Sequence, residues 1–64
     1  MNAAQRREHI YTQLLTAAAP LSATALAKQY NVSRQIIVGD IALLRAGDCS
    51  ITATPQGYVI PAGG

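Results

Sequence analysis

The chain of 64 residues is basic, with five lysines and arginines against three acidic residues and a net charge of +2. That length allows one domain with a small core, near the lower size limit for folding without a disulfide or a metal. Its single cysteine, Cys49, excludes an intramolecular disulfide, and we expect an inert thiol rather than a redox sensor. No apolar run approaches the roughly 20 residues of a membrane span. We therefore expect a cytoplasmic protein without a membrane partner.

The first helix is predicted from residue 3 or 4 to residue 18. Ile10, Leu14 and Ala17 recur at helical spacing and form one apolar face. Pro20 ends this helix, because proline disfavours helical backbone in the residue before it and cannot continue the hydrogen-bond ladder. The short link around Pro20 is predicted to be extended and able to pair as an edge strand.

Two further helices follow, each opened by a serine. Ser22 is a good N-cap for a helix over residues 23–30, and Asn31 suits a left-handed residue that ends it. Ser33 caps a third helix that runs to residue 46, and Gly47 is a natural stop. The third helix has a core stripe and an opposite face, which is predicted to consist of Gln35, Gly39, Ala42 and Ala46.

After Gly47 the apolar period changes to two, which indicates strands over residues 50–54 and 58–60. They are joined by Pro55-Gln56-Gly57, in which proline fixes φ and glycine accepts a positive φ. Two strands alone are marginally stable, so this hairpin must rest on the helices.

Three helices followed by a two-stranded β-hairpin predict a winged helix-turn-helix, a mainly α (α+β) fold in which the hairpin is the wing. We assign residues 1–60 to this domain and residues 61–64 to a linker or a terminal segment.

Four segments resemble a known family. The run VSRQIIVGDIALLRA at residues 32–46 is similar to the recognition-helix segment of the niacin-responsive transcriptional repressors, and ITATPQGYV at 51–59 resembles their wing. RREHI at 6–10 and the segment at 21–27 also fit, and the resemblance covers roughly residues 5 to 60. The biotin-ligase repressors carry a similar helix and a similar Gly-Tyr wing, and they stay an alternative.

The resemblance has one local departure and one limit. Gly39 stands where the family more often has a larger polar residue. The family's C-terminal domain, which binds a metal through histidines and senses nicotinic acid, is implied only for a longer parent protein. No cofactor is therefore expected in this chain.

The first turn of the third helix carries the clearest candidates for DNA contact. Arg34 can bond guanine in a bidentate manner, or a phosphate, and Gln35 can bond adenine. Ser33 is first a cap, and its hydroxyl could also meet a phosphate. Val38 is placed to touch a thymine methyl group. Gly39 would let the helix sit deeper in the groove, although drift on a solvent-facing position explains it equally well.

Other polar residues are weaker candidates. Backbone or minor-groove contacts are assigned, with a solvated surface as the alternative, to Thr24, Lys28, Thr54 and Gln56. Asp40 is expected to have a structural partner, either a backbone group or an arginine. Arg6 and Arg7 could reach phosphates or simply be solvated. His9 is alone, and no serine, cysteine or carboxylate pair has a base partner.

We therefore predict a sequence-specific DNA-binding domain of a bacterial transcriptional repressor, which reads the major groove of a double-stranded operator with residues 33–46. The resemblance implies control of NAD or niacin metabolism genes and a homodimer for the full-length protein. A winged helix that binds another protein is the alternative of a different class. No enzymatic activity and no catalytic or metal-binding residues are predicted.

Overall fold

The computed structural model describes residues 1–47 and 49–61, and its elements follow the predicted order. They are α1 (Ala3–Thr16), α2 (Ala23–Tyr30), α3 (Arg34–Ala46), β1 (Thr52–Thr54) and β2 (Gly57–Val59). The two strands pair antiparallel, with Ala53 opposite Tyr58. The prediction of a mainly α (α+β) winged helix-turn-helix is confirmed. The assignment of residues 61–64 to a linker falls, apart from Pro61, outside the described residues.

Each helix begins at a side-chain cap. Asn2 accepts a hydrogen bond from the Gln5 amide at 2.8 Å, while the Gln5 side chain accepts one from the Asn2 amide at 3.0 Å. Ser22 accepts from the Ala25 amide at 3.0 Å, and Ser33 accepts from the Ile36 amide at 3.2 Å. These bonds satisfy amides that have no partner within the helix, and each cap stabilises its helix by about 1 kcal/mol.

The turn between α2 and α3 depends on one left-handed residue. Asn31 has φ 55° and ψ 48°, as predicted from its position after the helix. The amide of Val32 then donates to the carbonyl of Ala27 at 3.0 Å, which ties the turn to the last turn of α2. Only two residues therefore separate Tyr30 from the cap of α3, and this short turn fixes the direction in which α3 leaves.

Four predicted boundaries are wrong by one to two residues: the end of α1, the start of β1 and both ends of β2. Helix α1 ends at Thr16 rather than at residue 18, because Ala17 is already extended with ψ 136° and exposed. The Thr16 hydroxyl donates to the carbonyl of Thr12 at 3.2 Å and also lies 3.4 Å from the carbonyl of Gln13, one of the last four carbonyls of the helix. Strand β1 begins at Thr52 rather than at residue 50, and β2 keeps its predicted length but is shifted by one residue, so that Gly57 opens it and Ile60 lies beyond it.

The core lies where the three helices meet. α1 contributes Ile10 and Leu14, and α3 contributes Ile37 and Ile41; the remaining members are Ala23, Leu26, Ala27 and Ile51. Partly buried Tyr30, Val32, Leu44 and Tyr58 surround this cluster.

The wing is attached to the helices through the link before α2. Leu21 and Tyr58 form an isolated antiparallel bridge, in which the Leu21 amide donates to the Tyr58 carbonyl at 3.0 Å and the Tyr58 amide donates to the Leu21 carbonyl at 2.8 Å. The prediction that this link can pair as an edge strand is confirmed. The bridge gives the two-stranded hairpin the third partner that it needs.

Candidate nucleic-acid interface

One side of α3 is free of contacts with the rest of the domain. Ile37 and Ile41 turn into the core, while the predicted opposite face is exposed: Gln35, Gly39, Ala42 and Ala46. The residues on this face have short or polar side chains. A DNA groove could therefore come close to the helix axis on this side. The predicted division of α3 into a core face and an outer face is therefore confirmed.

The N-terminus of α3 carries the two predicted base-contacting side chains in its first turn. Arg34 and Gln35 are both exposed, and neither has a hydrogen-bond partner among the described residues. Ser33 caps the helix, and its oxygen accepts the Ile36 amide. In recognition helices of this kind the N-terminal residues reach the base edges. The positions of these side chains therefore suit the predicted contacts, which stay predictions.

Arg34 also borders an open cleft between α3, the start of α2 and the wing. The cleft has a volume of about 300 Å³. It is lined by Ser22, Ala23, Thr24, Arg34 and wing residues 53–58. Three of the predicted contact residues (Thr24, Thr54 and Gln56) share this lining with Arg34. The fold thus brings together candidates that are distant in the sequence: Thr24 is 10 positions from Arg34 and 32 positions from Gln56.

Thr54 holds the tip of the wing. Its hydroxyl donates to the Gly57 carbonyl at 2.7 Å and accepts the amides of Gln56 and Gly57, each at 3.2 Å. The hydroxyl is therefore committed to the turn, and its predicted role in DNA contact stays a prediction. The Gln56 side chain is exposed at the tip.

Lys28 and Val38 lie outside the cleft. Lys28 is exposed in the last turn of α2, one helical turn beyond Thr24. Val38 lies on the exposed flank of α3. Both positions are accessible to a large ligand, but neither lines the cleft beside the wing.

Asp40 is the buried charged residue of the described chain, and it ties α3 to α1. Arg6 donates to both carboxylate oxygens of Asp40, with its Nη2 3.2 Å from Oδ1. Arg7 places Nη1 3.6 Å from the same Oδ1. The hydrogen bond to Asp40 raises the pKa of the Arg6 guanidinium above its usual value. The expectation of a structural partner for Asp40 is confirmed. Arg6 is neither free for a phosphate nor simply solvated.

A polar network joins α1 to α2 on a different side of the domain. The Tyr30 hydroxyl donates to the Gln13 side-chain oxygen at 2.9 Å, and the Gln13 side-chain nitrogen donates to the Gln29 side-chain oxygen at 2.7 Å. Burial raises the pKa of Tyr30 above its ordinary value. His9 lines the shallow polar depression beside these residues.

Within residues 1–47 and 49–61, no group of three His, Cys, Asp or Glu side chains is arranged to hold a metal ion. No helix among these residues combines the length and the apolar composition that crossing a bilayer requires.

Comparison with known proteins agrees with this geometry. The family model described as an HTH domain matches residues 6–59, which include all three helices' core residues and the whole wing. The chain belongs to this helix-turn-helix family. The prediction of a helix-turn-helix DNA-binding domain is therefore confirmed.

Two curated proteins are similar in sequence. Transcription repressor NadR of Bacillus subtilis (strain 168) is 50% identical over 56 residues, which cover 88% of this chain and 31% of the repressor. Probable transcription repressor NiaR of Thermotoga maritima is 52% identical over 44 residues, which cover 69% of this chain and 25% of that protein. The chain thus spans a third or less of the length of the relatives that it matches. Both relatives are named transcription repressors, which agrees with the resemblance seen in the sequence.

Two exposed apolar residues on α3 were not among the predicted contact residues. Ile36 and Leu43 project from the flank opposite to Val38, and both are largely solvent-exposed. The helical period could have found them, because both lie about 100–120° from the core residue Ile37 on a helix with about 3.6 residues per turn.

Proposed function

We propose that the domain recognises a specific sequence in double-stranded DNA by inserting α3 into the major groove. The observation that carries the proposal is the shared placement of Arg34 and Gln35. Both are exposed in the first turn of the helix-turn-helix recognition helix, which has an otherwise short-chained outer face. Arginine and glutamine can each form paired hydrogen bonds to one base, guanine and adenine respectively.

The wing cleft supports a second contact, to the DNA backbone. The Ser22-capped start of α2 and the wing tip form its walls beside Arg34, so a phosphate that enters from outside meets a helix N-terminus, while the Arg34 side chain contacts the base edge. Thr24 and Gln56 add exposed polar groups at its rim. Such contacts fix the orientation of the domain on the duplex and carry no sequence information themselves.

For the whole protein we propose a bacterial transcriptional repressor of NAD or niacin metabolism that acts as a homodimer in the cytoplasm. The support is the 50% identity to a NadR repressor and the 52% identity to a probable NiaR repressor. A symmetric pair of these domains would read two half-sites about 34–36 Å apart, or a multiple of that distance.

Selection of duplexes from a random pool tests the DNA-binding proposal. The pool is selected at stated salt concentration with this chain and with a version dimerised by a fused coiled coil. We expect one enriched motif, which is palindromic for the dimer. Arg34→Ala and Gln35→Ala are expected to cost about 1–3 kcal/mol each and to relax the preference at one position.

Lys28→Ala is the matched control, since it removes a cation outside the first turn of α3. It is expected to weaken all sequences alike and to reduce the salt dependence of binding. Flat selection profiles, or a motif that survives the Arg34→Ala Gln35→Ala double change unaltered, would contradict base reading. Flat profiles from both the single and the dimerised version would favour a winged helix that binds another protein.

A further inference from the structure

Gly39 has no structural reason to be a glycine in this fold. It lies in the middle of α3 with a regular helical backbone, and a Cβ built at this position meets nothing within 4 Å. A glycine in a helix interior costs about 1 kcal/mol relative to alanine. The fold neither requires a positive φ here nor needs space for a neighbouring element, so its own packing leaves this cost unexplained.

Two exposed apolar side chains flank this gap. Ile36 is 43% exposed and Leu43 is 58% exposed, although large aliphatic side chains are usually buried. Residues three and four apart on a helix are neighbours on its surface, so Ile36 and Leu43 lie on either side of Gly39 along the axis. This spacing, with open space at Gly39, implies a shallow apolar notch that has Gly39 as its floor and the two side chains as its walls.

The notch is continuous with the base-reading end of α3. Ile36 follows Gln35 directly in the first turn, and Gly39 belongs to the same outer face as Gln35. A ligand in this place must be small, apolar and part of the major-groove floor. Thymine presents such a group there, because its 5-methyl is the one apolar substituent on the base edges of that groove.

We propose that the Ile36–Gly39–Leu43 notch binds the 5-methyl group of a thymine in the operator. Ile36 is a specificity-determining residue beside the polar contacts of Arg34 and Gln35, and Gly39 provides the space that the methyl group fills. The proposal rests on the function proposed above, and it assigns the methyl contact to this flank of α3 instead of to Val38.

Replacement of single thymines by deoxyuridine tests the notch. Deoxyuridine pairs with adenine in the same way and lacks only the 5-methyl group. In the selected motif, each thymine is replaced in turn, and the affinity of this chain is measured at low salt. We expect one position at which the loss of the methyl group weakens binding about fourfold, the value for removing one buried methyl-sized group from contact.

Two variants then identify the residues that form the contact. In Ile36→Ala the preference for thymine over deoxyuridine at that position is expected to disappear. In Gly39→Ala the added methyl occupies the notch, so the preference is expected to reverse or vanish, and binding to the deoxyuridine duplex is retained. Leu15→Ala, which truncates a 53% exposed leucine on α1, is the matched control and keeps the wild-type preference. Circular dichroism confirms that each variant is folded.

The proposal is overturned if no thymine in the motif discriminates, or if Ile36→Ala and Gly39→Ala keep the wild-type preference. The proposal is also overturned if Val38→Ala, and neither of the other two variants, removes the preference for thymine over deoxyuridine. These outcomes differ from failure of the DNA-reading function itself, which would appear as a flat selection profile before any thymine is replaced.

Discussion

The wing depends on Gly57, and Gly57→Ala is the sharpest test of how it is attached. Gly57 has φ 142°, a region that residues with a side chain rarely adopt. A Cβ at this position would lie 2.6 Å from the Leu21 carbonyl carbon and 2.7 Å from the Ser22 amide nitrogen. Both are backbone atoms, so neither can rotate away. The chain must move the wing away from the link before α2.

The cost can be worked out from two contributions. A side chain forced into a rare backbone region costs about 1–3 kcal/mol. Separation of the wing from the link breaks the two backbone hydrogen bonds between Leu21 and Tyr58, which are worth about 1 kcal/mol each. We therefore expect Gly57→Ala to lose about 3–5 kcal/mol of folding free energy. A domain of this length has a total of only about 3–10 kcal/mol, at roughly 0.05–0.15 kcal/mol per residue.

Thermal and urea unfolding, followed by circular dichroism, measure the loss. At about 4–8 °C per kcal/mol for small domains, Gly57→Ala should lower Tm by at least about 12 °C. Gly39→Ala is the matched control, because its Cβ meets open space and the helix gains about 1 kcal/mol. Its Tm should rise. If the two variants melt at the same temperature, the steric account of the wing attachment is refuted.

Three further changes probe the turn, the ion pair and the α1–α2 network. Asn31→Ala should destabilise the domain by about 1 kcal/mol in urea unfolding, because φ 55° is unfavourable for alanine, whereas Asn31→Gly should be close to neutral; equal losses would contradict this account. Asp40→Asn should lower Tm more than Arg7→Gln, because Asp40 is buried and contacts both arginines, while Arg7 makes one longer contact at 3.6 Å. A smaller effect for Asp40→Asn would refute the role of Asp40 in joining α3 to α1. Burial raises the pKa of Tyr30, so the folded state favours its neutral form, and the free energy of unfolding should fall as the pH rises above about 10. In urea unfolding, Tyr30→Phe should remove the part of this alkaline loss that comes from Tyr30.

Local features of the sequence predicted the helices and their turn closely. Ser22, Ser33 and Asn31 act within three or four residues of their own positions, so their chemistry alone sets the bounds of α2 and the start of α3. The end of α1 was predicted less well. Pro20 restricts only the residue directly before it, and nothing in the composition of the alanine-rich segment after Thr16 indicated that Ala17 is extended.

The candidate site could be predicted in part. Arg34, Gln35 and Gly39 follow from the helical period of α3, because the core stripe fixes which residues must face outwards. Their grouping with the wing could not be predicted, since Arg34 and Gln56 lie on different elements of the same cleft. The partner of Asp40 was open for the same reason: Arg6 is 34 positions away, and only the packing of α1 on α3 brings the two side chains together.

The sequence by itself determined three helices, a hairpin wing and a recognition helix with arginine and glutamine in its first turn, because caps, turns and apolar periods act over a few residues. Only the tertiary structure decided how these parts face one another. It placed the wing tip beside Arg34, joined Tyr58 to Leu21 through a bridge that a glycine must accommodate, and used Arg6 to hold Asp40. It also left the notch around Gly39 open. Long-range contacts of this kind depend on how whole elements pack, which no local pattern specifies.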